Sequence, residues 1–184
     1  MLYVIAAPSG AGKTTIVKEI LKKFPGLVFS VSATTRKKRE NESEGKDYFY
    51  FTKEEFKKMI DKGELVEYEI LFNGDYYGTL KSFVNQNLEN ERNVIFDIDV
   101  NGALNIKKIY GKKAILVFIM PPDMDTLKDR LKKRGTESID QINERIKRVD
   151  LEIGKKDDFD YIVVNDNLEK AVSEVEEIFK TNIK

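Results

Sequence analysis

The stretch Ala6 to Thr15 reads A-A-P-S-G-A-G-K-T-T, and its residue types and spacing suit it to holding a chain of phosphates. Gly10 and Gly12 allow a tight turn that brings backbone N–H groups against phosphate oxygens with no side chain between. The apolar run Leu2-Tyr3-Val4-Ile5 precedes it, and I-V-K-E-I-L-K-K-F follows with apolar positions at helical spacing. Strand, glycine-rich turn and helix is the context in which such a loop works, because the helix's positive dipole end then also faces the anion. Lys13 would reach the β- and γ-phosphates, and the Thr14 hydroxyl would ligate Mg²⁺. Ala7, Pro8, Ser9, Ala11 and Thr15 complete the nucleotide-binding loop; Ala7 stands where the common pattern G-x-x-x-x-G-K-[ST] has glycine. The loop is read as binding a nucleoside triphosphate.

Three further groups of residues could share that chemistry. Asp97 and Asp99 end the apolar run Val94-Ile95-Phe96, and a carboxylate at a strand's carboxyl end, beside a phosphate loop, fits a metal-holding role for Asp97. Arg130, Arg134, Arg145 and Arg148 flank Gly135-Thr136. Two helices joined through that glycine would make a lid whose planar guanidinium groups stabilise charge on a transferring phosphoryl group. Solvated amphipathic helices are the competing reading for any single arginine. Ser32, Arg36, Arg39, Tyr48, Glu67, Tyr77 and Thr79 form the third group. Two arginines three apart beside tyrosines could clamp a second phosphate, although K-K-R-E also reads as an exposed loop and tyrosines commonly pack.

The elements that must position these residues follow from periodicity. L-V-F-S-V-S after Pro25-Gly26 reads as a second buried strand. Thr52 and Glu55 form a capping box for a helix that Gly63 ends. L-V-E-Y-E-I-L-F turns at Asn73-Gly74-Asp75 into a hairpin, and a polar helix covers roughly residues 80–90. N-V-I-F-D-I-D, A-I-L-V-F-I-M and Y-I-V-V-N-D are near-continuous apolar strands of the kind buried on both faces of a parallel sheet. The fold expected is α/β: a P-loop core with a parallel five-stranded sheet flanked by helices (residues 1–32 and 91–184), a small α+β insert over about 33–90, and a helical lid over about 130–150, all in one domain.

Composition narrows the chemistry. Lys+Arg and Asp+Glu number 32 each among 184 residues, so the formal net charge is zero and nothing advertises nucleic acid or an acidic membrane. Cysteine and histidine are both absent, which removes disulfides, thiolate metal sites and the commonest general base. No apolar run approaches the ~20 residues of a membrane span, and the N-terminal run is too short for a signal peptide. A cytoplasmic protein, monomeric or a small homo-oligomer, is expected.

The motifs in order resemble the guanylate kinase family over nearly the whole chain. A-P-S-G-A-G-K-T is similar to that family's phosphate loop, S-V-S-A-T-T-R-K-K-R…G-K-D-Y to its GMP signature, and E-Y-E, Y-Y-G-T, D-I-D-x-x-G, L-K-x-R-L-x-x-R-G-T…R and V-N-D-x-L-x-x-A to further stretches. The resemblance implies transfer of the γ-phosphate of ATP to GMP with Mg²⁺, giving ADP and GDP. It implies that Ser32, Glu67, Thr79 and Asp99 recognise guanine, Glu67 accepting two parallel N–H bonds from an edge that adenine lacks. It implies that Arg36, Arg39, Tyr48 and Tyr77 hold the GMP phosphate and that Arg130, Arg134 and Arg145 act with Lys13 and Arg36 on the transferring group. Arg148 is carried over less closely. Asn165 would lie beside adenine. Lys38 stands where the family often has proline, so that loop has one constraint fewer. Guanylate-kinase-like domains also occur as non-catalytic protein-binding modules, which typically lose phosphate-loop or lid residues; Lys13, Thr14, Asp97 and the lid arginines are all retained here. Another nucleoside monophosphate kinase, for example one acting on dGMP or a modified guanylate, is the second rival.

Overall fold

The computed structural model describes residues 1–70, 74–133 and 148–183, with the backbone alone for 129–133. Its organising element is β1 (Leu2–Ala6), whose five residues are all fully buried. A strand can be apolar on every residue only if both its faces are covered, and β1 lies at the centre of a five-stranded sheet. The strand order is β2 (Val28–Phe29), β7 (Val94–Ile98), β1, β8 (Ala114–Met120), β9 (Tyr161–Val164), every pairing parallel. The sheet expected from the apolar runs is therefore present.

Alternation along β1 divides the core in two. Tyr3 and Ile5 face α1 (Lys13–Lys23) and α6 (Leu168–Asn182), whose Ile16, Ile20, Val175 and Phe179 are fully buried there. Leu2, Val4 and Ala6 face the other way, toward Val84 of α3 (Lys81–Glu89) and Val100, Ala103 and Ile106 of α4 (Val100–Tyr110). α3 closes the 33–90 segment and yet buries Val84 in the main core.

A second sheet, in the order β4 (Phe49–Tyr50), β3 (Ala33–Thr34), β6 (Tyr76–Leu80), β5 (Leu65–Ile70), occupies that segment. α2 (Lys53–Asp61) packs Phe56 and Met59 against it. The Thr52–Glu55 capping box is formed in both directions, and the helix gives way at Gly63, whose φ of 65° is left-handed. β5 and β6 pair antiparallel as the expected hairpin; residues 71–73 of its turn lie outside the described residues. Among the described residues no helix is long and apolar enough to cross a membrane.

Two strands expected to be buried prove to be edges. Only Val28 and Phe29 of L-V-F-S-V-S join the main sheet, and Phe29 stays 36% exposed. The chain leaves because Ala33 and Thr34 pair with Gly78 and Tyr77 of the second sheet instead. On the opposite edge, β9 buries Val163 while Ile162 and Val164 remain exposed. Strand apolarity does not distinguish an edge from a centre when one face still packs.

Tyr3 stacks on Phe179 with ring centroids 4.0 Å apart and planes 19° from parallel. Its hydroxyl is buried and has no hydrogen-bond partner among the described residues, and burial pushes its pKa up to about 12. Packing, and not the hydroxyl, is what this residue contributes. Phe179→Ala should therefore cost about 3–5 kcal/mol, while Tyr3→Phe should be neutral or slightly stabilising. Urea titration of both variants checks this; a loss of more than about 1 kcal/mol in Tyr3→Phe would mean that the hydroxyl is satisfied.

Candidate active site

The turn after β1 enters α1 through Gly12, the N-cap residue, at φ 93° and ψ 12°. No side chain caps that end and its first turn holds no acidic residue, so the unpaired N–H groups of the first turn are left for an external acceptor. Gly12 is also required by space. A Cβ there would stand 2.3 Å from Nδ2 of Asn165, which donates 2.7 Å to the Ala11 carbonyl oxygen. Asn165, 5% exposed, is thus bonded to the loop backbone from the far strand β9. Ala7, Pro8 and Ala11 are buried, whereas Thr14 and Thr15 are exposed; Ala11 N–H closes the turn onto the Pro8 carbonyl at 3.1 Å.

Parallel pairing sets Ile5 of β1 opposite Asp97 of β7, which brings that carboxylate to the loop. Asp97 Oδ1 lies 3.0 Å from Lys13 Nζ, and its Oδ2 accepts from the Thr14 hydroxyl at 2.8 Å. Lys13 also donates to the Ile98 carbonyl oxygen. Thr14 and Asp97 offer a hydroxyl and a carboxylate oxygen, hard donors that suit Mg²⁺. No cluster of three or more acidic residues able to cage a metal occurs among the described residues.

Asp99, two residues on, caps α4: its Oδ1 accepts from Asn101 N–H at 2.8 Å and Gly102 N–H at 3.1 Å. Behind it lies Glu67 of β5, 8% exposed, accepting from the Thr79 hydroxyl at 2.6 Å. A register shift between Leu65 and Glu67 in the β5–β6 ladder accompanies this placement. A Cβ on Gly102 would stand 3.0 Å from Glu67 Oε2, tighter than ordinary contact, so any other residue there would push on the carboxylate. Burial pushes the Glu67 carboxyl up to about 7, with Thr79 opposing and the neighbouring Asp99 adding to the rise. Lys13 is near enough to lower it. Glu67 and the phosphate loop therefore share one electrostatic environment.

The arginine–tyrosine group assembles on the second sheet. Arg36 Nε donates to the Tyr77 hydroxyl at 3.1 Å, and its guanidinium carbon sits 5.1 Å from the centre of the Tyr48 ring. Tyr48 and Tyr77 meet edge to face at 5.8 Å. Ser32 is partly buried and Arg39 exposed. A partner that sequence reasoning missed, Glu42, holds Arg36 at 2.7 Å, and the hydrogen bonds to it push the Arg36 pKa up. Glu42 stands among Glu40 and Glu44 in one acidic stretch, and nothing in the sequence singles it out.

Of the arginines beyond residue 129, the side chain of Arg130 on α5 (Met124–Lys133) and the whole of Arg134 and Arg145 lie outside the described residues. Arg148 is seen, engaged by Glu69 of β5 at 2.5 Å and by Glu152 at 3.0 Å. Burial works against its charge, but these carboxylates outweigh burial and push its pKa up. Glu152 is a second missed group. Its side chain is 12% exposed, burial raises its carboxyl, and Asp99 and Lys13 are close enough to affect it. The i,i+4 spacing of Arg148 and Glu152 was a signal that could have found it.

Comparison with known proteins places this arrangement. The guanylate kinase family model matches residues 1–182. A guanylate kinase from Thermotoga maritima is 47% identical over 180 residues, covering 98% of this chain and 86% of the relative. One from Salinibacter ruber is 47% identical over 173 residues, with 94% and 92% covered. The crystal structure of guanylate kinase from Anaplasma phagocytophilum superposes with a TM-score of 0.78 at 29% identity, covering all of this chain and 87% of the other. The chain belongs to the guanylate kinase family and is a nucleoside monophosphate kinase.

Proposed function

We propose that the protein transfers the γ-phosphate of ATP to GMP, giving ADP and GDP. The observation that carries this reading is the placement of a buried carboxylate, Glu67, within electrostatic reach of the phosphate-loop lysine. Ionised Glu67 accepts two parallel N–H bonds from the guanine edge, with Ser32, Thr79 and Asp99 as neighbours. Adenine lacks that edge and would leave the carboxylate desolvated and unpaired, which makes discrimination large. Arg36, Arg39, Tyr48 and Tyr77 hold the acceptor phosphate. The loop residues Ala7 to Thr15 and Lys13 hold the donor's phosphates, with Asn165 behind the loop near the adenine side.

An oxygen of the GMP phosphate attacks the γ-phosphorus in line, and the bond to the ADP oxygen breaks. No protein nucleophile is needed; positioning and fixed positive charge carry the reaction. Thr14 and Asp97 would hold Mg²⁺, which would supply charge neutralisation at the donor phosphates. By the family motif, Arg130, Arg134 and Arg145 supply further positive charge to the transferring group. With ATP and GMP as its small-molecule substrates, the protein would serve the recycling of purine nucleotides in the cytoplasm.

The reading is tested by ADP release from ATP and Mg²⁺ with GMP, dGMP, AMP, UMP and CMP offered in parallel. Turnover with GMP far above the others supports it; no turnover with any of them from folded protein would revive the binding-module alternative. Lys13→Ala should lower kcat by about 100-fold or more with the melting temperature little changed, because it removes charge facing the transferred phosphate. A rate within about threefold of wild type would remove Lys13 from the mechanism.

Glu67 also sets a pH dependence. Its carboxyl sits near 7 in the folded protein against 4.5 ordinarily. The neutral carboxyl therefore contributes folding stability that is fully present below about 4.5 and is lost as pH rises through about 7. Guanine recognition needs the ionised form, so GMP affinity should weaken as pH drops below about 7, approaching tenfold per pH unit. Calorimetric titration of wild type and Glu67→Gln separates this from protonation of the GMP phosphate. The variant should bind GMP more weakly and lack that part of the pH dependence; identical profiles would exclude Glu67.

A further inference from the structure

Glu42 accepts four hydrogen bonds, all from groups around the acceptor-phosphate residues. Its Oε1 accepts from Arg36 Nη2 at 2.7 Å. Its Oε2 accepts from Arg36 Nη1 at 3.0 Å, Arg39 N–H at 2.9 Å and the Tyr50 hydroxyl at 2.7 Å. Arg36 and Glu42 are only 16% and 15% exposed at their side chains. The carboxyl, held down to about 2 chiefly by the Arg36 hydrogen bonds, stays ionised at any working pH.

The geometry fixes the guanidinium on three sides. One edge is taken by Glu42, Nη1 donates also to the Lys37 carbonyl oxygen at 2.9 Å, and Nε donates to Tyr77. The guanidinium carbon lies over the Tyr48 ring, and the Tyr48 hydroxyl is also within hydrogen-bonding influence of Arg36. A carboxylate in this position could act in two ways. It could stand in for the substrate phosphate and be displaced by it, or it could orient the arginine for a phosphate bound alongside. The other two bonds decide between these. Leaving would break the bonds from Arg39 N–H and the Tyr50 hydroxyl as well as both bonds from Arg36, so displacement gives up four contacts and frees the loop backbone that carries Arg39.

We propose that Glu42 is a positioning residue of the acceptor site, holding the Arg36 guanidinium in one plane and the Arg39 backbone in one conformation so that both arginines are arranged for the GMP phosphate before it arrives. This rests on the reading of Arg36 and Arg39 as acceptor-phosphate groups. Glu42 never touches the substrate; it lowers the ordering cost of binding through the arginines. The loop that carries it has Lys38 and no proline between the two arginines, so its conformation depends on this side-chain anchor.

Glu42→Gln in the full chain tests the proposal by titration with GMP and, separately, with guanosine, which has no phosphate. The dissociation constant for GMP should rise by about 10- to 100-fold, and guanosine affinity and the KM for ATP should stay within about threefold. Glu42→Asp, which keeps the charge, should recover part of the loss. Equal losses for GMP and guanosine would reduce Glu42 to a general structural role and overturn the proposal. Unchanged GMP affinity would also overturn it, and tighter GMP binding would identify Glu42 as a competitor of the phosphate. If Glu42→Gln does not fold, Tyr50→Phe removes one anchor of the same carboxylate, and the same GMP-selective loss, about threefold, decides. Absence of GMP turnover in the wild type is a separate result, which would refute the kinase reading and not this contact.

Discussion

The position of one carboxylate governs the donor half of the site. Asp97 is brought to the phosphate loop by the parallel register of β1 and β7, Ile5 against Asp97 and Ala6 against Ile98. A slip of one residue would turn Asp97 into the core and leave Lys13 without its counter-charge. The register is strongly specified because β1 and most of β7 are buried. Hydrophobic packing therefore fixes, at a distance, the geometry in which Lys13 and Thr14 meet Asp97. The fold needs the sheet for its stability, and the site takes its dimensions from it.

Close approach at two glycines connects the remaining parts. Gly12 admits Asn165, so the end of β9 holds the phosphate loop by a side-chain bond to Ala11. Gly102 admits Glu67, so the helix after β7 packs directly on the second sheet. Asp99 caps that helix and adds negative charge beside Glu67. The main sheet, the loop and the second sheet thus meet around a few polar groups, and burial of Glu67 is a consequence of that meeting. A buried carboxylate with one hydroxyl partner among the described residues and a raised pKa suits a ligand that offers two N–H donors.

Much of this was legible in the residues. The phosphate loop, the helix after it, the capping box at Thr52 and the β5–β6 hairpin all rest on local rules, and the structure reproduces them. The edge character of β2 and β9 was not legible, because apolar runs report that a strand packs and not how many neighbours it has. Asn165 also bonds the loop backbone and Asp99 also caps α4, contacts that the motifs do not specify. Neither bond can be inferred from one sequence, since each joins residues whose proximity depends on the assembled sheet or on the exact helix start. Glu42 was invisible for a different reason: three glutamates alternate along the same exposed-looking stretch, and only the folded loop turns one of them onto Arg36. The lid arginines Arg134 and Arg145 lie outside the described residues, and their assignment rests on the motif.

Direct phosphoryl transfer requires the phosphate loop and the Glu67 pocket to hold donor and acceptor in line. The most direct measurement follows ATP labelled at the γ-phosphorus, mixed with the protein, Mg²⁺ and GMP. The account predicts that the label appears in the β-phosphate of GDP, one for one with ADP formed, with little in inorganic phosphate. Label released chiefly as inorganic phosphate, at a rate indifferent to GMP, would contradict it.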